Sequence, residues 1–188
     1  MQAFFHHIGA PGNVDLGKTV TRRRSAGEVM SQLPADATAE RTFFAENGPL
    51  RRVFPDGMFN CWGVPRGGER VFQQMEIGDL VLLVHSAGLY GRGIEQIGVV
   101  KALCPDAAWN ASQTLWQWPD DRLFPFLFFF DTERGSRIWS DFKLDMGYDP
   151  GYQGGRIFQR IAEERLARWG GPSGYLSFLR NECGFSAI

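Results

Sequence analysis

Apolar residues along the chain gather in short runs broken by glycine, proline and acidic turns, the rhythm of a strand-rich domain with peripheral helices. Ala3–Ile8 reads as a first strand, followed by the turn-forming Gly9, Pro11, Gly12 and Asn13. A helix is predicted over Thr21–Leu33, with Val29, Met30 and Leu33 as its apolar face. Pro34–Gly57, punctuated by Pro34, Gly48, Pro49 and Pro55, reads as loops with short elements around Thr42–Phe44 and Leu50–Phe54. The middle of the chain is the clearest. Glu69–Met75 gives a short helix with Val71, Phe72 and Met75 inward, and Glu76-Ile77-Gly78-Asp79 a tight turn. Leu80–His85 is then a strand apolar on both sides, Ser86–Gly93 a loop, and Ile94–Leu103 an antiparallel return. Ser112–Arg122 reads as a tryptophan-bearing loop, Leu123–Phe130 as a buried strand that Pro125 keeps near an edge or a strand start, and Ile138–Leu144 as another strand. Beyond the loop marked by Gly147, Pro150, Gly151, Gly154 and Gly155, a helix is predicted over Arg156–Trp169 with Ile157, Ile161 and Leu166 on one side. Gly170-Gly171-Pro172 stops it, and a last helix spans Ser173–Glu182 and ends at Gly184. The sum is a mixed α+β fold of five or six strands.

Composition narrows the function classes. The 188 residues suit one domain, and 44% hydrophobic with 14% aromatic residues exclude a chain disordered throughout. A net charge of -1 supplies no global field toward nucleic acid or membrane, so any nucleic-acid contact has to be local. Of the 20 basic residues only Lys18, Lys101 and Lys143 are lysines, which leaves 17 arginines, the side chain whose planar fork suits phosphates and base edges. A bias in genomic base composition gives the same count. Cys61, Cys104 and Cys183 are odd in number and lack metal-site spacing, so neither a disulfide framework nor a zinc site is indicated, and no cofactor is implied. With no secretory pattern at the start and no apolar run near the roughly 20 residues of a membrane span, the chain reads as soluble and cytoplasmic.

Three stretches carry a resemblance to a known family: Asn60-Cys61-Trp62-Gly63-Val64, then Val71 through Met75-Glu76-Ile77-Gly78-Asp79 to His85-Ser86, then Gln96-Ile97-Gly98-Val99-Val100. Together they resemble the EVE domain of the PUA-like superfamily, related to YTH, ASCH and SRA-like domains, over a family-like core of about 58–145. The resemblance implies a small, mostly antiparallel β-barrel within a single domain, 1–188, with peripheral helices and a helical C-terminal extension over 155–183. It also implies a non-enzymatic reader of a flipped, modified cytosine or adenine, in DNA in preference to RNA, held against aromatic faces. Trp62 is then one pocket wall, Trp116 and Trp118, ahead of Trp109, are candidates for the other, and Asn60, Cys61 and Gly63 read the base edge. His85 and Ser86 sit at the rim, or form a structural hydrogen bond. By the same resemblance, a nuclease or motor is expected as a partner or fused domain, as in modification-dependent restriction systems. The sequence departs from the family after Trp62, where Pro65-Arg66-Gly67-Gly68 replaces an Arg-Asn-Tyr-like stretch.

Phosphate contacts are expected from Lys18 with Arg22, Arg23 and Arg24, from Arg51 and Arg52, and from Arg66, Arg70 and Arg92; a solvated charged face is the alternative. Two rival chemistries share the chain. Gly12-Asn13-Val14-Asp15-Leu16-Gly17-Lys18-Thr19 matches the phosphate-loop pattern GxxxxGK[ST], and Phe126–Asp131 with Glu133 imitates a Walker B strand, so a nucleotide hydrolase is an alternative. Asp141-Phe142-Lys143 with Asp131 offers the end of a small metal-dependent nuclease site.

Overall fold

The computed structural model describes residues 1–9, 12–88, 91–117, 124–154 and 157–188, with the side chains of 12, 13 and 86–88 outside the described set. In chain order the elements are β1 (Ala3–Ile8), α1 (Gly12–Thr19), β2 (Arg24–Ser25), α2 (Ala26–Gln32), α3 (Thr38–Phe44), α4 (Pro49–Val53), β3 (Met58–Val64) and α5 (Glu69–Phe72). There follow β4 (Leu80–Gly88), β5 (Gly91–Leu103), α6 (Trp109–Trp116), β6 (Phe126–Ile138), α7 (Trp139–Met146), β7 (Phe158–Arg160), α8 (Glu163–Leu166), α9 (Pro172–Glu182) and β8 (Ser186–Ala187).

Strand order is β2-β3-β6-β5-β4-β1-β7, with β8 beside β6. β1 and β4 run parallel, while the pairings β1–β7, β2–β3, β3–β6, β4–β5 and β6–β8 are antiparallel. Among the described residues this path of seven strands, with β8 off it, is open, with β2 and β7 at its ends, which corrects the closed barrel of five or six strands. The mixed α+β class and the mostly antiparallel pairing stand.

The chain divides into two compact units. The first comprises Met1–Asn13, Gly78–Val99 and Thr132–Ile188. Its core takes alternate residues of β1 (Ala3, Phe5) and β4 (Leu80, Leu82, Val84), with Ile94 and Ile97 of β5, and packs them on Trp139, Phe142 and Met146 of α7 and Tyr175, Leu176 and Leu179 of α9. The turn into β4 needs glycine at Gly78, where φ is +96°, and Asp79 Oδ1 then accepts a hydrogen bond from the Gln2 amide at 2.6 Å. The second unit comprises Val14–Ile77 and Val100–Asp131. Phe43 and Phe44 of α3, Phe59 of β3 and Phe129 of β6 form its aromatic core, with ring centroids 5.1–5.9 Å apart.

Several elements differ from the sequence reading, each for an identifiable reason. The helix expected over Thr21–Leu33 begins at Ala26, because Ser25 accepts the Glu28 amide as an N-cap while Arg24 and Ser25 pair with β3. Pro49, read as a breaker, occupies the first turn of α4, where its missing N–H costs nothing. α6 replaces the first part of the expected tryptophan loop. The strand expected over Ile138–Leu144 is α7, whose buried Trp139, Phe142 and Met146 recur at helical spacing. Arg156–Trp169 is not one helix: Phe158 joins the edge strand β7, and helix resumes only at Glu163 and Glu164, acidic residues suited to a helix start.

Candidate nucleic-acid interface

β3 carries the first group of candidate residues, in the second unit. Trp62 is 2% exposed and meets Trp116, the last residue of α6, edge to face, with centroids 5.7 Å apart and planes at 80°. Trp116 is likewise fully buried, so the two indoles pack on one another at a right-angled corner, and the parallel sandwich expected of this pair is absent. Phe124 is inclined at 31° to Trp62 with its centroid at 6.2 Å, and it stands at 70° to Trp116. Sequence reasoning had passed over Phe124, whose only signal was its place just before Pro125. Two aromatic faces admit a third planar ring at a separation of about 7 Å between parallel planes, twice a van der Waals contact, and the tilted Phe124 with the buried Trp62 and Trp116 leaves the described arrangement closed. Gly63 permits this closeness: a Cβ there would lie 2.4 Å from the Phe124 carbonyl oxygen and 2.7 Å from its Cβ. Trp118 lies outside the described residues.

The neighbours of Trp62 on β3 are committed inward. Asn60 is buried, and its Nδ2 donates to the carbonyls of Thr19 (3.2 Å) and Val20 (2.7 Å), so those donors hold the end of α1 and are not turned to a base edge. Cys61 is fully buried, and that burial pushes its thiol well above the ordinary range, keeping it neutral. His85, in the first unit, is also buried, with Nε2 hydrogen-bonded to Gln96; β4 runs on to Gly88, so His85 belongs to the strand interior and not to a rim. Ser86 lies on β4, its side chain outside the described set.

The phosphate-loop match does not form a phosphate loop. Gly12–Thr19 is helix α1, and the next element is the two-residue strand β2. Lys18 Nζ donates to the Trp116 carbonyl at 2.7 Å and pairs with Asp15 at 3.0 Å. Arg24 Nη1 donates to the Leu115 carbonyl at 2.8 Å. Two cations thus cap the carbonyl end of α6, where a helix concentrates partial negative charge, and together they fix the backbone that carries the Trp116 indole. This corrects the expectation of phosphate contacts from Lys18 and Arg24. Arg23 is engaged by Asp56 and the Met58 carbonyl. Arg22, Arg52, Arg66 and Arg70 are exposed, Arg66 lying 4.5 Å over the Trp109 ring, and Arg51 is half-buried. The nuclease reading fares no better: Asp141 pairs with Arg137, Phe142 is core, Lys143 donates to the Pro150 carbonyl, and Asp131 pairs with Lys101. Among the described residues no three His, Cys, Asp or Glu side chains group as metal ligands.

A second cluster, which the sequence did not assemble, lies at one edge of the first unit. β1 ends at Ile8, opposite His85 of β4, and Ile138, the last residue of β6, abuts Gly93 near the start of β5. Trp139, His7, Arg92, Tyr152 and Gln153 meet here. The Arg92 guanidinium carbon lies 4.3 Å over the Trp139 ring; Nη1 donates to Gln153 Oε1 at 2.9 Å, and Nη2 to His7 Nδ1 at 3.1 Å and to the Gln153 carbonyl. Tyr152 stacks on Trp139 at 6.1 Å and on Tyr148 at 4.1 Å. Burial, then the Arg92 charge, lowers the His7 pKa to about 4, so the imidazole is neutral near pH 7 and accepts from Arg92. The sequence named Arg92 among the expected phosphate contacts but did not assemble this cluster around it, because Trp139 was assigned to a strand and Arg92 to a loop.

No family model matches the chain, and no curated protein matches it. Among solved structures it is similar to the N-terminal domain of Thermococcus gammatolerans McrB bound to m5C DNA, with a TM-score of 0.65 and 19% identity over 96% of this chain and 98% of that one. The likeness establishes a shared fold along nearly the whole sequence.

Proposed function

We propose that this chain is a DNA-binding reader of a modified base, built on the PUA-like, EVE-type fold that the sequence resemblance implied. The observation that carries the reading is the fold match over 96% of the chain to a domain whose structure was determined on methylcytosine DNA. The Trp62–Trp116 corner supports it locally. A flipped cytosine or adenine stacks on the Trp62 face, its edge or modifying group meets the Trp116 floor, and Phe124 swings aside to admit it. Stacking of this kind contributes about 1 to 3 kcal/mol per base. Gly63 leaves the backbone bare beside the ring, and Cys61 and Asn60 hold the wall in place from behind. Exposed Arg22, Arg66 and Arg70 supply backbone contacts. In this reading residues 1–188 act as one recognition domain without catalysis of its own, and cleavage belongs to a nuclease or motor, fused or separate. Three free cysteines, two of them buried, suit a reducing cytoplasmic setting.

The test is a fluorescence-anisotropy panel at one fixed salt concentration, using duplexes identical except for a single methylated, hydroxymethylated or glucosylated base. At least tenfold tighter binding to one modified duplex is expected. Equal affinity across the panel refutes the reading.

A further inference from the structure

Arg92 is surrounded differently from the ion-paired cations of the chain, and differently from Arg41 and Arg165, whose hydrogen bonds go to backbone carbonyls. Lys18, Arg23, Lys101, Arg137 and Arg180 each face a carboxylate within ion-pair distance. Arg92 is half-buried and, among the described residues, pairs with none: its partners are an indole face, a neutral imidazole nitrogen, and the side-chain and backbone oxygens of Gln153. A partly desolvated positive charge without a counter-charge is unfavourable unless an anion completes the site. Its geometry is also fixed before any ligand arrives. Three of the five guanidinium N–H donors are used, one face rests on Trp139, and Tyr152 and Tyr148 buttress that indole from beyond. Among the described residues the remaining donors, Nε–H and the second Nη1–H, have no acceptor. Burial lowers the Arg92 pKa with no carboxylate opposing it, in keeping with an unmatched charge.

We infer that Arg92, held by Trp139, His7 and Gln153 near the start of β5, is a preformed anion site that takes a phosphodiester of the bound strand. This rests on the DNA-reader reading and deepens it by separating a phosphate anchor from the base corner. An anchor of this kind contributes to affinity for any duplex and carries no information about the modification.

The experiment measures dissociation constants of the full chain for a modified and an unmodified duplex at several salt concentrations, comparing wild type with Arg92→Met, Arg92→Lys and Gln153→Ala. Arg92→Met, which keeps an apolar stem on the indole, is expected to weaken both duplexes by the same factor, roughly five- to tenfold, and to reduce the salt slope by about 0.9, the share of one phosphate. Arg92→Lys is expected to keep the slope, and Gln153→Ala to keep the slope with weaker binding. Inorganic phosphate in the millimolar range should compete with DNA on wild type and less on Arg92→Met, as a phosphate site requires. An unchanged slope in Arg92→Met, or a loss confined to the modified duplex, overturns the anchor while leaving the reader intact. Failure of the wild type to bind any duplex removes the reader reading and the anchor with it.

Discussion

Replacing Lys18 by methionine separates the two meanings of the GxxxxGKT stretch. The substitution keeps the aliphatic stem and removes the donor to the Trp116 carbonyl (2.7 Å) and the partner of Asp15 (3.0 Å). The Lys18 side chain is 37% exposed and that of Asp15 only 6%, so the lost bond is partly screened while the carboxylate left behind is not. With a charge-assisted bond at about 1.5 to 3 kcal/mol when sheltered and a surface pair below about 1, the net loss comes to about 1 to 2 kcal/mol. For a chain of this size that lowers Tm by about 2 to 8 °C, readable by circular dichroism. Because Trp116 loses one of the two cations that fix its backbone, preference for the modified duplex is expected to fall several-fold with the salt slope unchanged. Magnesium nucleotides are expected to leave the wild-type Tm where it is. A true nucleotide site saturated a hundredfold above its Kd would stabilise the protein by about 2.7 kcal/mol, an unmistakable rise. Such a rise in wild type, abolished in Lys18→Met, would refute the capping role and restore the nucleotide-hydrolase reading; a slope reduced by about one would put Lys18 on phosphate instead.

Other perturbations probe the same architecture. Trp62→Ala should cost about 3 to 5 kcal/mol because the indole is core as well as wall, whereas Trp62→Phe should stay folded and lose affinity for the modified duplex, the two effects being resolved by melting and anisotropy on the same samples. Gly63→Ala should destabilise by about 2 to 3 kcal/mol, since the new methyl meets Phe124 backbone that only a strand shift relieves; a melting point equal to wild type would show that the approach of β3 to Phe124 is looser than described. Burial holds His6 to a pKa of about 3 and His7 to about 4, below the 6.5 of the unfolded chain, so unfolding takes up protons. Stability should therefore be level above pH 7 and fall by up to about 1.4 kcal/mol per unit per histidine from pH 6.5 downward, levelling only below the folded values, and urea midpoints flat between pH 7 and 5 would contradict this.

What the sequence disclosed follows from the range of the forces involved. Leu80–Val84 was legible because an uninterrupted apolar run after a Gly-Asp turn has few other uses, and Ser173–Glu182 because glycine and proline bracket it. The Trp62 segment was legible through its resemblance; the structure brings Trp62 and Trp116 into contact, but edge to face and buried, where the resemblance implied two walls of an open pocket. What stayed hidden depends on partners remote in the chain. Lys18 looked like a phosphate ligand because its partner, the Trp116 carbonyl, is 98 positions away, and Asn60 looked like a base reader because its acceptors lie 40 and 41 positions away. Arg92 and His7 meet across 85 positions through the parallel pairing of β1 and β4, a register that no local pattern specifies. Barrel closure was likewise beyond local signals, since it is decided by the terminal strands of the path.

The distribution of cations sets a further expectation for the whole binding curve. Extruding a base costs a few kcal/mol, and one stacking face returns about 1 to 3, so base contacts alone leave little net affinity and phosphate contacts must supply the balance. A chain with net charge -1 has few cations to spend on this. Among the described residues Lys18, Arg24, Arg23, Arg41, Lys101, Arg137, Lys143, Arg165 and Arg180 are occupied by internal carboxylates and carbonyls, while exposed arginines, Arg22, Arg52, Arg66, Arg70 and Arg134 among them, are available together with Arg92. Each neutralised phosphate contributes about −0.9 to the slope of log K against log salt, so the unmodified duplex should show a slope between about −2 and −5. A slope near zero would mean that the arginine surface never meets DNA. One near −10 would require basic residues beyond those that the structure leaves available, and the division between a base-reading aromatic corner and a small set of phosphate anchors would then have to be abandoned.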